Sequence, residues 1–320
     1  RGETFDGRLV GVVVDDPVLA LGRLARAVRR NHLACKVVAI TGSSGKTSTK
    51  DLVAQLLTVM GRTTSAVGSF NTEVGVPLTI LSADADTEFL VVEMGMRGAG
   101  HIAYLVDIVK PDVGVIVNVG SAHVGMLGNR DAIGTAKGEL VAGLTTGDTA
   151  VLNADDPIVR TMRDRTVANV VTFGESAEAD VRATDVRLDD MARASFTLTD
   201  YRDGKDEAQS VTLQFSGEHY VSNALAASAA ALSLGASMEQ VADALRAATP
   251  QSRWRMEVRE APGGITVVND AYNANPESMR AALKTLVAMG AGRRTWAVLG
   301  EMRELGDDAL VEHDAVGRLA

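Results

Sequence analysis

The sequence predicts an α/β fold: a central, mostly parallel sheet with helices on both faces and a small antiparallel patch, followed by a second α/β unit. Three observations carry that expectation. Between residues 36 and 175, short β-branched runs alternate with helix-period segments, the pattern of a parallel sheet covered on both faces. Residues 180–216 instead hold three short alternating runs around polar turns, as antiparallel strands do. Thr249-Pro250-Gln251-Ser252 then breaks the chain, and strand–helix alternation resumes beyond it.

Taken in order, residues 9–14 predict a strand and 17–30 a helix, with Asp15 or Asp16 placed to cap it ahead of Pro17. Residues 1–33 read as the tail of an upstream domain. Strands are expected at 36–41, 88–93, 113–119, 149–153 and 170–173, and helices at 47–60, 98–109, 130–143 and 157–165. The antiparallel runs are 181–186, 194–199 and 211–215. Two helices follow, an Ala-rich one at 219–234 and another at 238–248, closing a unit of residues 34–250. The last unit, 251–320, should hold strands at 265–269 and 295–299 and helices at 276–289 and 309–320. In such sheets ligands bind beyond the carboxyl ends of the strands, where Gly42, Glu93 and Asn118 all fall.

Composition narrows the class. The 320 residues allow two or three domains, and 46% hydrophobic content supports large cores. Aromatics are only 4%, so those cores must rest on Ala, Val, Leu and Ile. Thirty-two basic against 41 acidic residues give a net charge of −9. With no basic run, nucleic acid is not an expected partner. The single cysteine, Cys35, rules out an internal disulfide framework and suits a reducing compartment. No apolar stretch reaches membrane-spanning length and no signal peptide opens the chain, so a cytoplasmic protein, not embedded in a membrane, is expected. The sequence leaves oligomeric state open, with a monomer as the default. The chain opens on Arg1, and its final predicted helix runs to Ala320, so a fragment of a longer protein is expected.

The chemistry centres on Val37-Val38-Ala39-Ile40-Thr41-Gly42-Ser43-Ser44-Gly45-Lys46-Thr47-Ser48. Glycines let backbone fold closely around an anion, and loop N–H groups and a helix N-terminus direct positive dipoles at it. Lys46 is placed to neutralise β/γ-phosphates and the Thr47 hydroxyl to ligate Mg²⁺. The general P-loop spacing would put a glycine where Ile40 stands. The loop here is the shorter G-x-x-G-K-T, from Gly42 to Thr47. A strand before it and a helix after it favour a nucleotide triphosphate cradle over a chance turn.

Other constellations surround it. Glu93 ends an apolar strand, well placed for a Mg²⁺ already held by Thr47 and phosphate. Asn118-Val119-Gly120-Ser121-Ala122-His123 follows the next strand, and His123 reads equally as a metal ligand or as a satisfied loop histidine. Lys137, flanked by Ala136 and Gly138, reads on physical grounds as a solvated helix lysine paired with Asp131 or Glu139. His219 and Asn223 share a helix face four residues apart, either capping that helix or lining a nucleotide pocket. Asp270, Asn273 and Asn275 occupy a strand-to-helix turn, where such residues are common for structural reasons alone. Arg253 and Arg255, just past the break, can bring positive charge from the second unit.

These motifs, in this order, resemble the Mur ligases, ATP-dependent amide-forming enzymes of peptidoglycan synthesis. The matching segments are T-G-S-S-G-K-T at 41–47, E-M-G at 93–95, N-x-G-x-A-H at 118–123, A-K-G-E at 136–139 and G-x-H-x-x-x-N at 217–223. N-D-A-Y-N-A-N-P-E-S-M at 269–279 and V-L-G-E-M-R-E-L-G at 298–306 narrow the resemblance to the member that joins D-alanyl-D-alanine to UDP-N-acetylmuramoyl-tripeptide. It implies three domains: one for the UDP end of the substrate, here residues 1–33 only, a central ATPase, and an incomplete Rossmann-like C-terminal domain.

The resemblance also implies roles. Gly42, Ser43, Ser44, Gly45, Lys46, Thr47 and Ser48 would wrap the ATP phosphates. Thr47 and Glu93 would hold one Mg²⁺ ion. His123 and a carbamylated Lys137 would hold a second, which overturns the solvated reading of Lys137, since a lysine able to shed its proton is what carbamylation requires. Asn223, Asp270 and Asn273 would contact adenine or ribose, and Arg253 or Arg255 the phosphates. Asn71 and Thr72 would meet the muramoyl-peptide. Lys46, Glu93, His123 and Lys137 would carry catalysis. The competing readings are another ligase of this superfamily, of the MurE or folylpolyglutamate synthase type, a P-loop ATPase that switches a protein partner, and a non-catalytic nucleotide-binding fragment.

Overall fold

The computed structural model describes residues 2–5, 9–120, 125, 128–202, 204 and 206–320. Strands β1 (Gly2–Phe5) and β2 (Leu9–Val12) form an antiparallel hairpin ahead of helix α1 (Pro17–His32). Of the two candidate caps, Asp16 takes the role, its carboxylate accepting from the Val18 and Leu19 N–H groups at 2.9 and 3.0 Å.

The central unit runs β3 (Lys36–Thr41), α2 (Lys46–Thr58), β4 (Thr63–Ser65), α3 (Gly75–Ser82), β5 (Phe89–Glu93), α4 (His101–Val109) and β6 (Val113–Ile116). It continues through α5 (Arg130–Ala142), β7 (Thr149–Asn153), α6 (Pro157–Arg160) and β8 (Asn169–Gly174). Then come β9 (Val181–Leu188), β10 (Arg193–Asp200), β11 (Glu207–Ser216), α7 (His219–Ser233) and α8 (Met238–Ala247). The last unit holds β12 (Glu257–Ala261), β13 (Ile265–Asn269), α9 (Pro276–Gly290) and α10 (Ala309–Leu319).

Among the described residues the central strands form one nine-stranded sheet, ordered β11-β10-β9-β8-β7-β6-β3-β5-β4. Strands β4 to β9 and β3 pair in parallel; β9, β10 and β11 are antiparallel. The expected antiparallel patch is therefore a continuation of the main sheet, joined through the β8–β9 pair. Alternation along β3 explains the layering. Val38 and Ile40 join a core with Leu52, Val53, Leu56 and Leu57 of α2 and the alanines of α7. Val37 and Ala39 face the opposite core, with Ile80, Ile102, Leu105 and Leu140. Small alanine side chains let α7 lie close against the sheet, which is how a chain with few aromatics fills its interior.

Four differences from expectation have physical causes. Strand β4 is three polar residues, too short to show a period. Helix α3 has no side-chain cap and carries Pro77 in its first turn, where the missing N–H costs nothing. Strand β12 is charged and lies on a hairpin with β13, so it lacks the apolar run of a buried strand. Residues 295–299, expected as a strand, form none: among the described residues no neighbour offers them a ladder, and Trp296 and Val298 stay 73% and 98% exposed.

The free rim of β11 is partly covered. Arg246 of α8 donates from Nε and Nη2 to the Ser210 carbonyl, at 3.0 and 2.6 Å. No helix of the described residues is long and apolar enough to cross a membrane.

Candidate active site

Strand β3 has β5 on one side and β6 on the other. Chain direction thus diverges beside β3, and the crevice at its carboxyl end is the place for a ligand. A cavity of about 700 Å³ opens there. Its wall includes Ser43 to Ser48, Glu93, Asn118, Asn223, Arg255, Asp270, Asn273, Asn71 and Thr72.

The glycine-rich turn is built for close approach. Gly45 caps α2 at φ 77°, and a Cβ there would stand 2.6 Å from Asn223 Oδ1. No side chain caps the helix, so its first-turn N–H groups face the cavity as an anion site. Ser43 and Ser44 do less of this than expected. Their N–H groups both donate to Asn118 Oδ1 at 3.0 Å, and Asn118 Nδ2 returns a bond to the Ser44 carbonyl at 3.2 Å. Asn118 is thus a brace for the loop. Gly42 lies against Val117 and Asn118, outside the described cavity wall.

Lys46 Nζ donates to the Gly42 carbonyl at 2.9 Å and to that of Ser43 at 3.3 Å. Burial lowers its pKa, Glu93 opposes that, and Arg255 adds to it. The parallel register sets Glu93 beside Ile40, one residue before Thr41 and the loop. From there the buried carboxylate accepts from Thr47 Oγ1 at 2.8 Å and from Asn71 Nδ2 at 2.7 Å. These are hard oxygen donors of the kind Mg²⁺ prefers. Among the described residues no group of three or more His, Cys, Asp or Glu side chains forms a metal site, so phosphate and water would complete the coordination of an ion there.

The C-terminal unit closes the far side. Arg255 Nη2 donates to Thr47 Oγ1 at 3.3 Å, and its guanidinium lies 4.1 Å from the centre of the Tyr272 ring. Arg253 is exposed and not among the wall residues. Asp270 accepts from the Met256 N–H at 2.9 Å; burial raises its pKa, against that bond and Arg255. Asn273 is exposed on the same turn, while Asn275 caps α9 in a reciprocal bond pair with Ser278.

Three buried polar atoms on the wall lack partners: Asn223 Nδ2, His219 Nδ1 and Arg255 Nε. Buried polar atoms are rarely left unpaired, so these three suit a ligand that supplies hydrogen-bond partners. Burial pushes the His219 pKa down to about 4, so at neutral pH its ring is uncharged.

Lys137 contradicts its solvated reading. It is 1% exposed, and Glu139, one of its two expected partners, instead accepts from the Gly100 and Ala103 N–H groups at 2.7 and 2.9 Å. Burial, helped by the Lys46 charge, takes its pKa well below the usual value. Lys137 is not among the described wall residues. His123 lies outside the described residues. Sequence reading passed over Lys50, whose full burial has no local signature, and Tyr272, whose partner Arg255 comes from 17 residues away in the chain.

Comparison with known proteins gives two family matches: the Mur ligase middle domain over residues 40–231, and the Mur ligase glutamate ligase domain over residues 254–320. A UDP-N-acetylmuramoyl-tripeptide--D-alanyl-D-alanine ligase of Mycobacterium tuberculosis is 49% identical over 307 residues, 94% of this chain. The chain spans 59% of that relative's length. Among solved structures, MurF from Acinetobacter baumannii superposes with a TM-score of 0.88 at 35% identity, over 99% of this chain and 68% of that one. MurF from Thermotoga maritima in complex with ADP gives 0.84 at 30% identity, over 99% and 71%.

Proposed function

This chain belongs to the Mur ligase family, and on that premise we propose that it is the ATP-using core of a MurF-type ligase. The reaction joins D-alanyl-D-alanine to UDP-N-acetylmuramoyl-tripeptide through an acyl phosphate, in peptidoglycan precursor synthesis. We place it in the cytoplasm, as a monomer acting on small molecules. Residues 34–250 are the nucleotide unit, 251–320 the start of a C-terminal ligase unit, and 1–33 the end of a domain for the UDP substrate.

One observation carries the reading: Thr47, Glu93 and the C-terminal unit's Arg255 converge at hydrogen-bond distance beside the uncapped end of α2. A carboxylate is a poor electrophile until phosphorylated, and the anionic γ-phosphate must meet it against charge repulsion. Lys46 and Arg255 lower that barrier with fixed positive charge placed in advance. Arg255 is the hinge arginine of choice, because it lines the cavity and reaches Thr47, whereas Arg253 is exposed and outside the described wall. Asn223, Asp270 and Asn273 offer donors and acceptors to adenine and ribose. Asn71 and Thr72 face the muramoyl-peptide side. Mg²⁺ ions, held by Thr47 and Glu93 and by His123 with carbamylated Lys137, would supply further charge neutralisation. The depressed basicity of Lys137 leaves the free amine that adds CO₂. Coverage by residues 251–320 keeps water from the activated acid.

The test is ADP release by the enzyme carrying this sequence, with ATP and UDP-N-acetylmuramoyl-tripeptide, with and without D-alanyl-D-alanine. ADP formation that depends on the dipeptide supports the proposal. Dependence on a diamino acid or glutamate instead makes it another ligase of the family. Phosphate release indifferent to any amine makes it an ATPase switch.

A further inference from the structure

We propose that Lys50 and Asp51, one turn beyond the phosphate loop, are positioning residues that hold residues 66–72, the acceptor segment that bears Asn71 and Thr72 on the side of the carboxylate that accepts phosphate, in register with Arg255. The proposal rests on the ligase reading above and adds two residues outside the cavity wall.

Lys50 is 1% exposed, and a buried ammonium persists where its protons are all engaged. Its Nζ donates to the Ala66 carbonyl at 2.7 Å and the Gly68 carbonyl at 2.9 Å, and pairs with Asp51 Oδ1 at 2.7 Å. Ala66 and Gly68 open the segment that brings Asn71 to Glu93. The second Asp51 oxygen accepts from Ser252 Oγ at 2.6 Å, in the link between the two units. Gln55, one turn further, exchanges bonds with Thr249 at 3.0 and 3.1 Å. Three residues of α2, Lys50, Asp51 and Gln55, therefore grip both the start of the acceptor segment and the interunit link.

The contacts close into a ring. From Ser252 the link leads to Arg255, which lies over Tyr272. The Tyr272 hydroxyl bonds Ser69, back in the acceptor segment. Segment 66–72, Lys50, Asp51, Ser252, Arg255, Tyr272 and Ser69 thus encircle one side of the cavity. An aliphatic residue at 50 would fill the same space but leave two segment carbonyls without their ammonium. Loosening the ring at the link should relax the acceptor segment on the other side, because the Lys50–Asp51 pair joins the two on one side of the ring and the Tyr272–Ser69 bond on the other.

The test is amide hydrogen exchange on this chain and on Asp51→Asn, Ser252→Ala, Lys50→Met and Lys50→Arg, with kinetics on the enzyme carrying each change. Ser252→Ala and Asp51→Asn are expected to speed exchange at both 66–72 and 253–256 by on the order of tenfold, with β3 and β5 unchanged. In kinetics the KM for the muramoyl-tripeptide rises and kcat falls, and Lys50→Arg retains more activity than Lys50→Met. If Ser252→Ala loosens 253–256 and leaves 66–72 as in the parent, the proposal is overturned. Faster exchange along α2 itself overturns it too, since that marks distortion of the helix. Should Lys50→Met fail to fold, Ser252→Ala decides alone. Absence of any ligase activity would defeat the functional reading, and the exchange data would still judge the ring.

Discussion

At the scale of single residues, charge is handled by position. Lys46 Nζ rests on two loop carbonyls, weaker partners than a phosphate. Lys46→Ala should therefore abolish ADP formation, and parental turnover in that variant would refute the phosphate role. Lys137 is buried with lowered basicity. Lys137→Ala should lose on the order of 10²–10³ in rate, with partial recovery in acetate; full rate without additive would dismiss the carbamate. His219 gives a pH signature. Its native pKa is about 4 against an ordinary 6.5, so below pH 6.5 the unfolded chain takes up a proton that the native chain refuses. Stability should fall between pH 6.5 and 4 by about 3 kcal/mol from this group, and His219→Gln should remove that part of the slope in urea titrations. Identical slopes would show that the ring is hydrated. That Ser43 to Ser48, Glu93, Asp270 and Asn273 line one cavity was legible beforehand, because glycine-rich turns, strand-end acids and turn asparagines sit in short local patterns. Burial of Lys137, the brace formed by Asn118, and the choice between Arg253 and Arg255 depend on contacts between distant segments, which no local pattern records.

At the scale of elements, strong periodicity and clear caps made for accurate reading. Strands Lys36–Thr41, Thr149–Asn153 and Ile265–Asn269 fall where their apolar runs stand. Helix boundaries follow their end signals within a few residues. Helix α8 shows why: Ser237 Oγ accepts from the Gln240 N–H at 3.2 Å, and Gln240 Oε1 accepts from the Ser237 N–H at 2.9 Å. Ser237→Ala should cost about 1 kcal/mol in urea unfolding, and no measurable change would mean that packing alone sets this helix end. What escaped was short or amphiphilic: β4, α3 and β12 bury too little for a period to show. Residues 295–299 have strand composition but no ladder among the described residues, and composition cannot supply a partner.

At the scale of the whole molecule, the sheet order explains why distant motifs meet. Strands β5 and β6 flank β3, so residues 93 and 118 arrive at one loop from opposite sides. Antiparallel continuation through β9 to β11 lengthens the sheet away from the cavity and leaves a ten-residue strand at its border. Such a border offers free carbonyl and amide groups to any passing chain. The guanidinium of Arg246 sits on one of those carbonyls, a charged stopper on an otherwise inviting template. Arg246→Ala should leave nucleotide affinity untouched yet hasten clumping on storage, read by light scattering at constant protein concentration. A variant that stays as clear as its parent would mean that the remaining cover of β11 suffices. Should the variant clump, protection of this sheet border would rest on a side chain outside the described cavity wall.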